Sequence, residues 1–128
     1  PRNIHFETGV NDLAPYAAKA DIVFTAMGIT VYELAAIGTP SILIGNYRED
    51  VEEMGRLESF GICRSLGFHK EVSESAIRSI IEYLMQERGE LLKMGESAKA
   101  LVDGKGTERI AAVLAELLGA ETEGASNG

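Results

Sequence analysis

The stretch "ADIVFTAMGITVYELAAIGTPSILIGN", residues 20–46, places two short apolar runs, DIVFTA and SILIG, on either side of a segment with helical period. Each run is apolar at successive positions rather than at alternate ones, so each strand is expected to be buried on both faces. Strands of that kind belong to parallel sheets covered by helices. A strand, a helix and a second strand in this order read as a right-handed crossover unit, which restricts the chain to the α/β class.

The rest of the chain continues the alternation. "IHF" (4–6), "DIVFTA" (21–26), "SILIG" (41–45) and "GICRSL" (61–66) have strand length and strand composition. Apolar residues at spacings of three and four predict helices over 10–20, 30–38, 48–60, 73–87, 89–102 and 107–118. Ser73 and Thr107 are expected to be N-caps. Gly38 is expected to stop the helix before it, and Pro40 to set entry into the next strand. The expected architecture is a Rossmann-like three-layer α/β/α fold around a mainly parallel sheet of about four strands. Strand 4–6 is predicted either to pair beside 21–26 or to stay poorly ordered, because an unpaired strand leaves its amides open. Residues 1–118 form the one expected domain, and "GAETEGASNG" (119–128) is too poor in apolar groups to be more than a disordered tail. The chain opens on Pro1 without a methionine and reads as a fragment of a longer protein.

Several function classes fall away. A formal charge of −8 offers no basic footprint, so nucleic acid is not an expected partner. No apolar run reaches the roughly 18 residues of a membrane span, and no signal peptide is legible. Cys63 is the only cysteine, which rules out an internal disulfide and suits a reducing cytoplasm. His5, His69 and Cys63 have no metal-ligand spacing, so no metal is expected. Ser41 sits inside a strand run rather than on a nucleophile elbow. The acidic stretch "REDVEEMGRLE" reads as a solvated helix face. No residue is marked as catalytic.

What remains is the turn at Gly28. In an open parallel sheet, ligands bind beyond the carboxyl ends of the strands, where loops feed helix N-termini. There, the amides of Ile29 and Thr30 would point at an anion with the helix dipole behind them. Glu33, one turn on, is placed to accept hydrogen bonds from a vicinal diol such as ribose. Gly28, Ile29, Thr30 and Glu33 together suit a nucleoside diphosphate. A plainer reading stays open, in which Gly28 is only a turn and Glu33 only complements the helix dipole.

Residues 20–46 also resemble the nucleotide-binding half of glycosyltransferase-B-fold enzymes. The likeness is to the UDP-sugar hydrolase of pseudaminic acid synthesis and its spore-coat polysaccharide relatives, and, more distantly, to the N-acetylglucosaminyltransferase of peptidoglycan synthesis. It is carried by Ala20-Asp21, by the Gly28-Ile29-Thr30-Val31-Tyr32-Glu33 run and by Gly38-Thr39-Pro40, with "LVDGKGTERIAAVL" (101–114) adding a similar closing segment.

The resemblance implies a UDP-sugar as substrate and no separate cofactor. Gly28, Ile29 and Thr30 would face the diphosphate and Glu33 the ribose. Thr8, Gly9 and Val10 would lie near the uracil, and Asn46 would reach the sugar or phosphate, although "NYRED" replaces the usual Asn-Gln pair. It also implies a companion N-terminal domain holding most of the catalytic groups, so that this chain would bind donor without turning it over. The parent reaction would be glycosyl transfer or hydrolysis in polysaccharide or nonulosonic acid synthesis. The alternative is a non-catalytic α/β module that binds another anion or a protein.

Overall fold

The computed structural model describes residues 3–126, with side chains described as far as residue 119. Elements follow in the order α1 (Ala14–Ala17), β1 (Val23–Thr25), α2 (Ile29–Ile37), β2 (Ser41–Gly45), α3 (Asp50–Ser59), β3 (Arg64–Phe68), α4 (Glu74–Gln86), α5 (Arg88–Leu101) and α6 (Gly106–Ser126). A single 3-10 turn, His69–Glu71, joins β3 to α4.

The sheet is parallel, in the order β1-β2-β3, with Phe24 beside Ile42 and Thr25 beside Leu43. Ile42 in turn lies beside Arg64. Central β2 is almost wholly buried, as its unbroken apolar run predicts. One face of the sheet carries the main core: Val31 and Ala35 of α2, Leu43 of β2, and Met54 and Leu57 of α3 pack together with Ile62, Cys63 and Ala98 of α5. Both crossover helices therefore lie on the same face. The other face bears the row Phe24, Ile42, Arg64. At its β3 end Arg64 reaches Tyr83 of α4, 5.9 Å from the ring centroid, and Glu90 of α5 at 3.6 Å. At its β1 end Phe24 is left 39% exposed. The fold is the expected α/β arrangement, with an outer layer that is incomplete over β1.

Among the described residues the sheet has three strands rather than four. Residues 4–6 form no strand, and Phe6 is 90% exposed. Of the two expected outcomes for this segment, pairing with β1 does not occur. Nothing buries its apolar side chains, so nothing offsets the cost of fixing it. The third strand begins at Arg64 instead of Gly61, because Gly61 takes a left-handed turn (φ 76°) as the chain leaves α3. The helix expected over 10–20 shrinks to a four-residue turn. Asp12 accepts the amide of Ala14 at 2.9 Å and Pro15 fixes the start, so the segment before it cannot continue as helix. Thr107 lies within α6 rather than capping it. The helix also runs past Gly119, where the sequence predicts the tail to begin, since Ala, Glu and Ser extend a helix at little cost. Residues 127–128 of that expected tail lie outside the described residues.

Two ends of helices behave as their sequence predicts. The Ser73 hydroxyl accepts the Ala76 amide at 3.1 Å, and Gly38 closes α2 in the left-handed conformation (φ 86°), with its amide and that of Thr39 reaching back to Leu34. The C-terminus of α2 is further held by α5, whose Gly95 lies against the carbonyl of Gly38 so closely that a Cβ would collide with it. The Thr39 hydroxyl donates to the Ala17 carbonyl at 2.8 Å, tying α1 to the α2–β2 turn. No helix among the described residues is long and apolar enough to cross a membrane.

Candidate functional site

The carboxyl end of β1 leads through Ala26 and Met27 to Gly28, which is the N-cap of α2. Gly28 is extended (φ 165°, ψ −166°), and a Cβ built on it would meet nothing. Its carbonyl accepts the Val31 amide at 3.2 Å, which leaves the amides of Ile29 and Thr30 as the first donors of the helix. No side chain caps them and no acid lies in the first turn. The positive end of the helix is therefore open toward solvent at the carboxyl edge of the sheet. Ile29 itself is 79% exposed.

Glu33 follows one turn later. Its side chain is exposed and takes part in no hydrogen bond or ion pair among the described residues. It lies on the wall between two hollows. One, of about 500 Å³, runs between α2 and the segment that leads into α1, and is lined by Val10, Asn11, Asp12, Leu13, Ala14, Ala17, Thr30, Glu33, Leu34 and Ile37. The second, about 420 Å³, lies toward the start of α6 and includes Ile29, Tyr32, Glu33, Val102, Thr107 and Arg109. The first hollow brings together Val10, Thr30 and Glu33, which are far apart in sequence. Its lining mixes apolar side chains with four polar ones, Asn11, Asp12, Thr30 and Glu33, a character suited to a small-molecule site.

The remaining candidate residues lie elsewhere. Thr8 and Gly9 belong to the exposed segment before α1, with Gly9 in a left-handed turn (φ 66°), and neither lines the hollow. Asn46 is exposed at the carboxyl end of β2, and also lies outside it. Its neighbour Arg48 is engaged by Glu71 at 2.6 Å and stacks over Phe68, 4.9 Å from the ring centroid. Thus no unpaired cation from this loop faces the open end of α2. Asp103 and Arg109 form an ion pair, through two parallel hydrogen bonds at the start of α6. The Arg109 hydrogen bonds, aided by the Lys105 amide, lower the Asp103 carboxyl to about 2.

Asn11 and Leu13 of the first hollow were not legible as site residues, since only the folding of the chain back over α2 brings them there. The Asp12–Ala14 turn, an acid two residues ahead of a helix start, is the signal that could have placed them. Cys63 is sealed in the core, and burial, with a smaller contribution from Glu58, raises its thiol to about 12. Among the described residues no group of three histidine, cysteine or acidic side chains is close enough to hold a metal ion.

The chain is similar to the spore coat polysaccharide biosynthesis protein SpsG of Bacillus subtilis, with 27% identity over 107 residues, covering 84% of this chain and 32% of that protein. It is also similar to the UDP-N-acetylglucosamine--N-acetylmuramyl-(pentapeptide) pyrophosphoryl-undecaprenol N-acetylglucosamine transferases of two further bacteria. In Caldicellulosiruptor saccharolyticus the identity is 28% over 123 residues, with 91% of this chain and 32% of the transferase covered. In Histophilus somni it is 32% over 109 residues, with 82% and 30% covered. The chain thus spans about a third of the length of these relatives. No family model matches the chain, and no solved structure matches it.

Proposed function

We infer that this chain, a relative of the C-terminal nucleotide-binding domain of glycosyltransferase-B-fold enzymes, binds the nucleotide portion of a UDP-sugar donor. The observation that carries this reading is the juxtaposition at α2: an uncapped helix N-terminus at Gly28, an unpartnered Glu33 one turn on, and a hollow of about 500 Å³ beside both. The diphosphate lies at the amides of Ile29 and Thr30, where it supplies the missing acceptors and meets the helix dipole. Glu33 accepts hydrogen bonds from the ribose hydroxyls, and the hollow receives the base.

The chemistry follows from the same placement. A helix N-terminus at the diphosphate stabilises the negative charge that develops there when the anomeric bond breaks, whether an acceptor hydroxyl or water attacks. The acceptor site and the catalytic base belong to a companion domain, and this chain alone binds donor without turnover. The reaction belongs to polysaccharide, peptidoglycan or nonulosonic acid synthesis on the cytoplasmic side of the membrane.

The test is a titration of isotopically labelled protein with UDP, AMP and inorganic phosphate. UDP is expected to shift the amides of residues 8–10, 28–33 and 46 more than the other two do. Equal shifts with all three anions, or none, would favour the second reading, a non-catalytic α/β module. That reading draws on the exposed apolar residues Ile110, Val113, Leu114 and Leu117 of α6, whose spacing forms one stripe.

A further inference from the structure

We propose that two copies of this chain associate through the exposed face of α5, across a two-fold axis at Leu92. The inference goes beyond the nucleotide reading and stands independently of it. The face lies beside Ala20 and Pro40, which precede β1 and β2, so it is at the opposite edge of the sheet from Gly28.

Leu92 is 67% exposed. Beside it runs a groove of about 330 Å³, with Ala20 and Pro40 on one wall and Leu91 and Gly95 of α5 on the other. A large apolar side chain next to an apolar groove is a self-complementary shape. In a two-fold contact the Leu92 of each copy enters the groove of the other, and the same patch serves both.

The charges around Leu92 have the same symmetry. Arg88 and Glu96 stand four residues to either side of it, so the three lie in one row along the helix. Arg88 and Glu96 are about 12 Å apart along the axis, too far to pair with each other. Both are exposed, and neither takes part in a hydrogen bond or ion pair among the described residues. Their order is also unfavourable within α5, since the base sits in the first turn, where the helix dipole disfavours a cation. A second α5 running antiparallel answers both faults. It sets Arg88 of each copy opposite Glu96 of the other, one ion pair on each side of the Leu92 contact. The groove adds one further acid and one further base, Asp21 and Lys99, also without a charged partner among the described residues. The patch is therefore neutral in a chain of formal charge −8, and two copies meet there without the repulsion that an acidic surface imposes.

The experiment is sedimentation equilibrium of the full chain over a range of concentrations, with circular dichroism to verify folding. The mean mass of the parent is expected to rise with concentration toward that of two chains. Leu92→Glu puts a carboxylate into the groove and is expected to weaken association at least about tenfold. Arg88→Glu and Glu96→Arg, each alone, are expected to weaken it as well, because each sets like charges opposite one another. The two reversals combined are expected to restore the parent association. All three side chains are exposed, so these changes leave the core intact. A parent that stays monomeric throughout overturns the proposal, as does a dimer that the single reversals leave unchanged or that the double reversal fails to restore. A dimer that survives Leu92→Glu but is lost in Leu114→Glu lies on the α6 stripe and overturns it too.

Discussion

The buried hydroxyl of Thr39 and the carbonyl of Ala17 are joined at 2.8 Å across 22 residues of sequence, and this bond fixes the wall of the proposed nucleotide hollow. The Ala17 carbonyl also accepts the Ala20 amide, so it keeps one partner when the hydroxyl is removed. Thr39→Val preserves shape and is expected to cost about 0.5–1.5 kcal/mol, the net value of one such bond. Urea denaturation checks the stability. Faster amide exchange at residues 17–20 checks that α1 has loosened.

Glu33→Gln retains the shape of the side chain and removes its charge. With no partner to lose among the described residues, the variant is expected to melt at the parent temperature. UDP binding, read by calorimetry, is expected to weaken by about 1–3 kcal/mol, the range for hydrogen bonds to charged groups. Unchanged UDP affinity would reduce Glu33 to a surface charge.

Gly28 separates binding from folding in the opposite way. Its extended backbone suits any residue and the space before it is open, so Gly28→Val is expected to change stability by no more than about 1 kcal/mol. The branched side chain would stand where the phosphates approach. UDP affinity is expected to fall at least about tenfold, which is about 1.4 kcal/mol. A folded Gly28→Val protein with parent affinity would place the anion elsewhere.

Gly28, Thr30 and Glu33 were legible as a group because a helix fixes the spacing between them, and SILIG was legible because a strand buried on both faces carries its own signature. The hollow beside them was only half legible. Val10 came from a resemblance, while Asn11, Thr39 and Gly95 act through contacts between segments that local pattern does not encode. Residues 4–6 misled for the same reason: IHF has strand composition, but a strand requires a neighbour as well as a propensity.

Asp103 provides a pH test of the α5–α6 junction. Its carboxyl is lowered from 3.8 to about 2, mainly by the Arg109 hydrogen bonds. A depressed acid contributes stability that is fully present above its unfolded value and is lost as pH falls through about 2. A carboxyl titration followed by NMR is expected to show the low midpoint in the parent. Arg109→Gln is expected to move it up toward 3.8.

Cys63 is expected to resist alkylation at pH 8 in the native protein, since burial keeps its thiol protonated up to about 12. Labelling should become rapid only in denaturant. Fast modification of the folded chain would contradict its place in the core.

The two ends of α2 differ in how they are held. Its last turn is anchored by Gly38, by the Thr39 hydroxyl and by the backbone contact at Gly95, whereas its first turn has neither a capping side chain nor an acid. The helix is built as a cantilever, rooted at the closed end and unfinished at the other. Whatever anion docks at Ile29 and Thr30 completes the helix as a cap would, so ligand affinity and the order of that first turn are one quantity seen from two sides.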